Sequence, residues 1–223
     1  YYLNGNVEAV KVSEGTDSVS CNLIDEDQTV VGKVTWKTDP FVKGNMGVNH
    51  TGTLIKMLSA IDEELDFVVK QSGNQNYCVE IKQGSTKLTF MLADINVIPA
   101  VPQINDEPDY EVELDINDEF ISKFIKAKNA LPESKNFAVQ VKDNQIKFII
   151  NYSTINTDNI SFELPGGTAP MSPIMFSADK LKEILTVNKG DSGKLYVSSA
   201  GLSKVDFKSE KFESTYFLVQ LQN

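Results

Sequence analysis

The feature that most constrains this chain is an internal repeat of a short strand, an amphipathic helix and three antiparallel strands, met three times along the sequence. The first copy starts with a strand at Met46 to Val48. A helix is expected from His50 to Ile61, capped by Asn49, because Leu54, Ile55, Leu58 and Ile61 recur on one face. Strands Leu65 to Lys70, Tyr77 to Lys82 and Thr86 to Leu92 follow it. The second copy opens at Tyr110 to Leu114. Asn117 caps a helix that sets Phe120, Ile121, Phe124 and Ile125 on one face and stops before Pro132, ahead of strands Phe137 to Lys142, Gln145 to Asn151 and Ile160 to Leu164. In the third, Ile174 to Phe176 leads into a helix after Ser177 with Leu181, Ile184 and Leu185 inward. Strands Lys194 to Ser199, Leu202 to Lys208 and Thr215 to Leu221 complete it.

Val7 to Glu14, Val19 to Ile24 and Thr29 to Trp36 read as the three strands of a fourth copy whose leading strand and helix are absent. The sequence opens without Met, and the expectation is a natural N-terminus longer by about 15 to 25 residues, forming one strand and one lysine-bearing helix. Residues 97–108 carry three prolines, Pro99, Pro102 and Pro108, which exclude a helix or a central strand and imply an extended connector. The expected organisation is α+β, with one domain over residues 1–96, the connector over 97–108 and a similar domain over 109–223.

Charge narrows the function. All 21 basic residues are lysines against 31 acidic ones, for a net charge of −10, so any role on nucleic acid requires the lysines to be segregated on one surface. The absence of arginine disfavours bidentate base readout, and together with abundant Lys, Asn and Ile it suggests an AT-rich coding sequence of the kind common in phages and some bacteria. Cys21 and Cys78 lack metal-ligand spacing and read as small apolar residues in strands. No signal peptide or membrane-length apolar run is present, so the expected address is the cytoplasm, that of a bacterial host if the protein is phage-encoded.

The third repeat, Met175-Phe176-Ser177-Ala178-Asp179-Lys180-Leu181-Lys182-Glu183-Ile184-Leu185 with a last strand ending Tyr216-Phe217-Leu218-Val219-Gln220-Leu221, resembles the repeating unit of DNA sliding clamps. The order and number of repeats are similar to proliferating-cell nuclear antigen and, more closely, to the trimeric clamp of T4-like phages. The resemblance implies the DNA clamp fold, with helices lining a ring, sheets on the outside and a homotrimer of two-domain subunits. It also implies sequence-independent binding of double-stranded DNA, a replicative DNA polymerase and an ATP-dependent clamp loader as partners, and no membrane. On this reading Lys56, Lys123 and Lys126 lie opposite the apolar helix faces and would face DNA, with Lys180 and Lys182 beside Asp179 and Glu183 on the third helix. Lys128 falls nearer the apolar side and would only snorkel. Ile98, Val101, Pro102 and Ile104 of the connector, with Leu221, would offer a groove to partner peptides.

No catalytic residue, metal site or cofactor is expected. His50, the only histidine, stands at a helix start, and the Gly166-Gly167 and Gly44 to Gly47 segments lack a phosphate-loop lysine pattern. Asp25-Glu26-Asp27 and Asp62-Glu63-Glu64 read as solvated turns. The competing reading is a β-rich structural phage protein of a capsid or tail, against which the helix before each strand triplet argues.

Overall fold

The computed structural model describes residues 7–38, 43–61, 66–155 and 157–222. The chain divides into two compact units, Tyr1–Pro102 with Glu210–Glu213, and Gln103–Ser209 with Ser214–Asn223. The division therefore falls inside the proline-bearing connector.

Unit 1 contains β1 (Ala9–Gly15), β2 (Ser18–Ile24), β3 (Val30–Lys37), β4 (Asn45–Asn49), α1 (Thr51–Leu58), β5 (Asp66–Ser72), β6 (Gln75–Gln83) and β7 (Thr86–Met91). Its strands form two antiparallel arrays, ordered β4-β1-β2-β3 and β5-β6-β7. Asp25 closes the turn between β2 and β3: it is 2 % exposed, and its carboxylate accepts from the Thr29 and Val30 amides at 2.8 Å and from the Thr29 hydroxyl at 3.0 Å. The first acidic turn is thus partly a buried clasp, because a short carboxylate can satisfy several turn amides at once. The second, Asp62-Glu63-Glu64, lies outside the described residues, as does Leu65.

The cap of α1 differs from expectation. Asn49 is the last residue of β4, in register with Ala9, so its side chain does not cap the helix. The N-cap is His50, held in the left-handed region at φ 53° without a side-chain cap bond, and its Nδ1 lies 2.6 Å from Glu8 Oε1. Thr51, 7 % exposed, anchors the first turn by donating its hydroxyl to the Val7 carbonyl.

Unit 2 contains β8 (Val112–Ile116), α2 (Asp118–Ala130), β9 (Asn136–Lys142), β10 (Gln145–Ile150), β11 (Ile160–Pro165), β12 (Met171–Ser177), α3 (Ala178–Val187), β13 (Ser192–Val197), β14 (Leu202–Lys208) and β15 (Phe212–Val219). One array runs β11-β10-β9-β12 and the other β15-β14-β13-β8. Asn117 caps α2 as its sequence predicts, its Oδ1 accepting from the Phe120 amide at 2.9 Å. Ser177 caps α3, its hydroxyl accepting from the Lys180 amide at 3.4 Å.

The core of unit 2 is aromatic. Phe120 and Phe124 of α2 meet Phe148 and Phe137 of the sheet edge-on, at centroid distances of 5.3 and 5.2 Å, and Phe148 stacks on Phe162 at 5.2 Å. Behind α3, the Asn188 side chain donates to the Ile184 carbonyl at 2.8 Å and accepts from the Ser214 hydroxyl at 3.2 Å. A fully buried amide is thereby satisfied.

Candidate nucleic-acid and partner interfaces

An amphipathic helix on a sheet turns its other face outward, so the lysines opposite the apolar stripe become the exposed charge. Lys56 on α1 and Lys123 and Lys126 on α2 are all exposed. Lys123 also covers the Phe162 ring, its Nζ 5.3 Å from the centroid, which orients the ammonium at the edge of the aromatic core.

Helix α3 departs from expectation. Lys180 is buried at 9 % exposure, because it falls on the stripe i, i+4, i+8 with Ile184 and Asn188, both at 0 %. It is therefore not part of the exposed helix face, whereas Lys182 is half-buried and Asp179 exposed. Lys128, expected to snorkel, is 3 % exposed. Its ammonium is held 2.9 Å from the Asp179 carboxylate and donates to the Pro132 carbonyl at 2.8 Å. The lysines thus divide into an exposed set, Lys56, Lys123 and Lys126, and an interior set, Lys128 and Lys180, with Lys182 between them.

The connector residues also sort by burial. Ile98 is 9 % exposed and packs over Gly47, where an added Cβ would lie 3.2 Å from Ile98 Cγ1 and 2.6 Å from the Ala93 carbonyl oxygen. A glycine is needed there because the Ala93 amide donates to the Gly47 carbonyl at 2.9 Å, drawing the two backbones together. Ile98 therefore pins the connector instead of presenting itself to a partner. Val101 is half-buried and Pro102 exposed in unit 1, and Ile104 and Leu221 are half-buried in unit 2.

Within unit 1, Pro102 joins Val97, Pro99 and Ala100 along a groove of about 420 Å³ whose other wall includes Ala9 and Ile24, with Glu8 and Glu26 beside them. Sequence reasoning did not assemble this groove. Its one local signal was the Asp25-x-x-x-Thr29 turn, which fixes the β2–β3 end beside the connector. Among the described residues no three or more His, Cys, Asp or Glu side chains converge as a metal site, and no helix is long and apolar enough to cross a membrane.

Neither a protein-family model nor a curated protein sequence matches the chain. Solved structures do. A chain of the structure titled for the C-terminal region of FEN-1 bound to A. fulgidus PCNA aligns at TM-score 0.74 and 15 % identity, covering 98 % of this chain and 90 % of that one. The PCNA2–PCNA3 complex of Sulfolobus tokodaii gives TM-score 0.74 at 11 % identity, over 98 % and 92 % of the two chains. Proliferating cellular nuclear antigen of Entamoeba histolytica gives 0.72 at 15 %, over 99 % and 92 %. At such identities the likeness is one of fold, and the fold of this chain is that of PCNA-type DNA sliding clamps.

Proposed function

We propose that the chain is a subunit of a sliding clamp that encircles duplex DNA and tethers a replicative polymerase, without catalysis of its own. The observation that supports this best is the clamp fold over nearly the whole chain, combined with helices whose exposed lysines belong to a protein of net charge −10. Ammonium groups that attract phosphates without reading bases favour a protein that slides, and ring closure would supply the retention.

Ring closure needs free strand edges, and β7 and β11 each end their arrays. Edge-to-edge pairing between copies is the natural use of such strands, and a homotrimer of two-domain subunits is the assembly this reading favours. The groove beside Pro99 and Pro102 suits an extended partner peptide with an apolar anchor, and Glu8 and Glu26 favour basic residues flanking that anchor. Polymerase and ATP-dependent loader are the partners proposed for it. An origin in a T4-like phage rests on the likeness of repeat order and number to that clamp, together with the arginine-free, lysine-rich composition.

The deciding experiment measures particle mass in solution and retention on closed circular against linear DNA. A clamp gives a closed oligomer that stays on circles and runs off linear ends. A monomer, or equal loss from both DNAs, removes the reading. A large assembly without DNA retention returns the capsid or tail alternative.

A further inference from the structure

The outward face of the β13, β14 and β15 strands holds a cation in a cage. Leu195, Val197, Val205 and Phe207 are buried on the inner face. A strand alternates its side chains, so Tyr196 and Lys204, paired across β13 and β14, point the other way. The Lys204 ammonium lies 5.6 Å from the Tyr196 ring centre and 5.9 Å from that of Phe217. It donates to both carboxylate oxygens of Glu107 at 3.1 Å and lies 3.5 Å from the Asp206 carboxylate. Two rings and two carboxylates thus surround one cation, whose side chain is 21 % exposed.

Glu107 differs from the other three groups in origin. Tyr196, Asp206 and Phe217 belong to the strands, whereas Glu107 belongs to the connector. Between Pro99 and Tyr110 no backbone–backbone hydrogen bond forms among the described residues, so side chains hold this stretch. Its polar ties to the strands of unit 2 are the Glu107 contact with Lys204 and the Asp109 carbonyl, which accepts from the buried Ser198 hydroxyl at 2.6 Å. Tyr110 braces the first tie, its ring 5.4 Å from that of Tyr196 and its hydroxyl donating to Glu107 at 3.1 Å. Burial and the Glu107 carboxylate push the Tyr110 hydroxyl well up, so it keeps its proton and stays a donor. The other end of the connector is pinned by Ile98 over Gly47. One end is therefore fixed by apolar packing and the other by an ion pair that salt screens.

We propose that Lys204 is the latch of a strap formed by residues 103–107, held on the strands of unit 2 while Glu107 occupies the cage and slack once it leaves. Gln103, Asn105 and Asp106 are already exposed, so the strap has little else to give up when Glu107 lets go. The Ser198 contact at Asp109 marks where the loosened stretch ends. An ordinary surface ion pair would be too weak for this role. Here the rings remove water from around the ammonium and strengthen its hold on the carboxylate, while the ionic character of the contact keeps it releasable. The same connector supplies Val97, Pro99 and Pro102 to the groove of unit 1, so a released latch leaves that wall fastened at its Ile98 end. The latch rests on contacts of Glu107, Tyr110 and the strands alone, and it stands or falls separately from ring assembly.

Thermolysin reads the strap directly, because cleavage before Ile104 needs several neighbouring residues to leave the surface together. The rate is followed by mass spectrometry on the native protein and normalised to an unstructured peptide of residues 99–109. Glu107→Gln and Lys204→Met, which keeps the apolar stem, should each speed cleavage about five- to tenfold, and the double variant no more than the faster single. Lys204→Arg keeps a cation for the rings and carboxylates and should stay within about twofold of the unmodified protein. Raising salt from about 0.05 to 1 M should bring the unmodified protein towards the rate of the two variants and leave theirs nearly unchanged. Glu107 lies outside every strand and helix, so Glu107→Gln tests the latch even if Lys204→Met disturbs the sheet. Unmodified rates in both variants overturn the proposal. So does acceleration in Lys204→Met that Glu107→Gln does not reproduce, or acceleration matched by equally fast cuts elsewhere in the chain, the mark of general unfolding.

Discussion

The ammonium of Lys128 on α2 lies 2.9 Å from the carboxylate of Asp179 on α3, and this bridge joins the two helices of unit 2 at their ends. The lysine side chain is 4 % exposed and the aspartate 55 %. The two partners are therefore unequal. Removing the aspartate leaves an interior ammonium with the Pro132 carbonyl as its remaining acceptor among the described residues, while removing the lysine leaves a carboxylate that water can solvate. Asp179→Ala should cost about 1 to 2 kcal/mol in urea unfolding, less than for a fully buried pair. Lys128→Met, which keeps the apolar stem, should cost less. A larger loss for Lys128→Met would mean that the bridge itself, and not the stranded ammonium, sets the energetics.

Asp25 should be as sensitive as a core residue despite its place in an acidic run. It is 2 % exposed and its carboxylate satisfies two amides and a hydroxyl. Asp25→Ala strands those donors and should destabilise the protein by about 2 to 3 kcal/mol. Glu26→Ala on the exposed neighbour should change stability by under about 0.5 kcal/mol. Comparable midpoints for the two variants in a thermal melt would contradict the clasp.

These two residues show how far the sequence could be read. The repeat, the helices, the cap Asn117 and the start of α3 after Ser177 follow from periodicity and local hydrogen bonding, which act within a few residues. The cap of α1 did not, because Asn49 is taken into β4 by its pairing with Ala9, a contact 40 positions away in the chain. Lys180 was legible in part: its spacing of four from Ile184 places it on the inward stripe, but a charged residue there reads as exposed until its surroundings are known. Ile98 was misjudged for a similar reason. Connector residues look available when the glycine that receives them, Gly47, lies some 50 positions earlier in the sequence.

The connector should accordingly separate into a structural and a binding part. Ile98→Ser opens a void over Gly47 and should cost about 2 to 4 kcal/mol. Val97, 69 % exposed, and Pro102 line the groove, and their replacement by Ser should leave the melting temperature nearly unchanged. On the proposed function, the Val97→Ser, Pro102→Ser double variant should lose polymerase or loader in a pulldown while keeping its fold. Full retention of both partners by that variant would move the docking site elsewhere.

The exposed helix lysines carry the test of the DNA-facing wall. Lys56, Lys123 and Lys126 stand away from the apolar faces of α1 and α2, so replacing all three by Glu should leave the fold and assembly intact, apart from the loss of the Lys123 contact with Phe162. Lys33, Lys87 and Lys147 on strands are the matched controls. Lys87 and Lys147 form surface pairs with Glu80 and Glu163 at 2.8 and 3.5 Å, solvent-screened contacts whose loss should barely change stability. Both triple variants shift the net charge by the same amount, so a difference between them reports position and not total charge. The helix triple should reduce processive synthesis on primed circular DNA, with the deficit relative to the unmodified protein largest at low salt and narrowing as salt is added, because fewer phosphate contacts remain to be screened. Lys180→Gln, made separately, should act on stability before it acts on DNA, since that side chain is buried. Extension lengths are measured across a salt series, with assembly of each variant verified by mass. Equal defects in the two triples, or a helix triple indistinguishable from the unmodified protein at every salt concentration, would remove these helices from the DNA-facing surface.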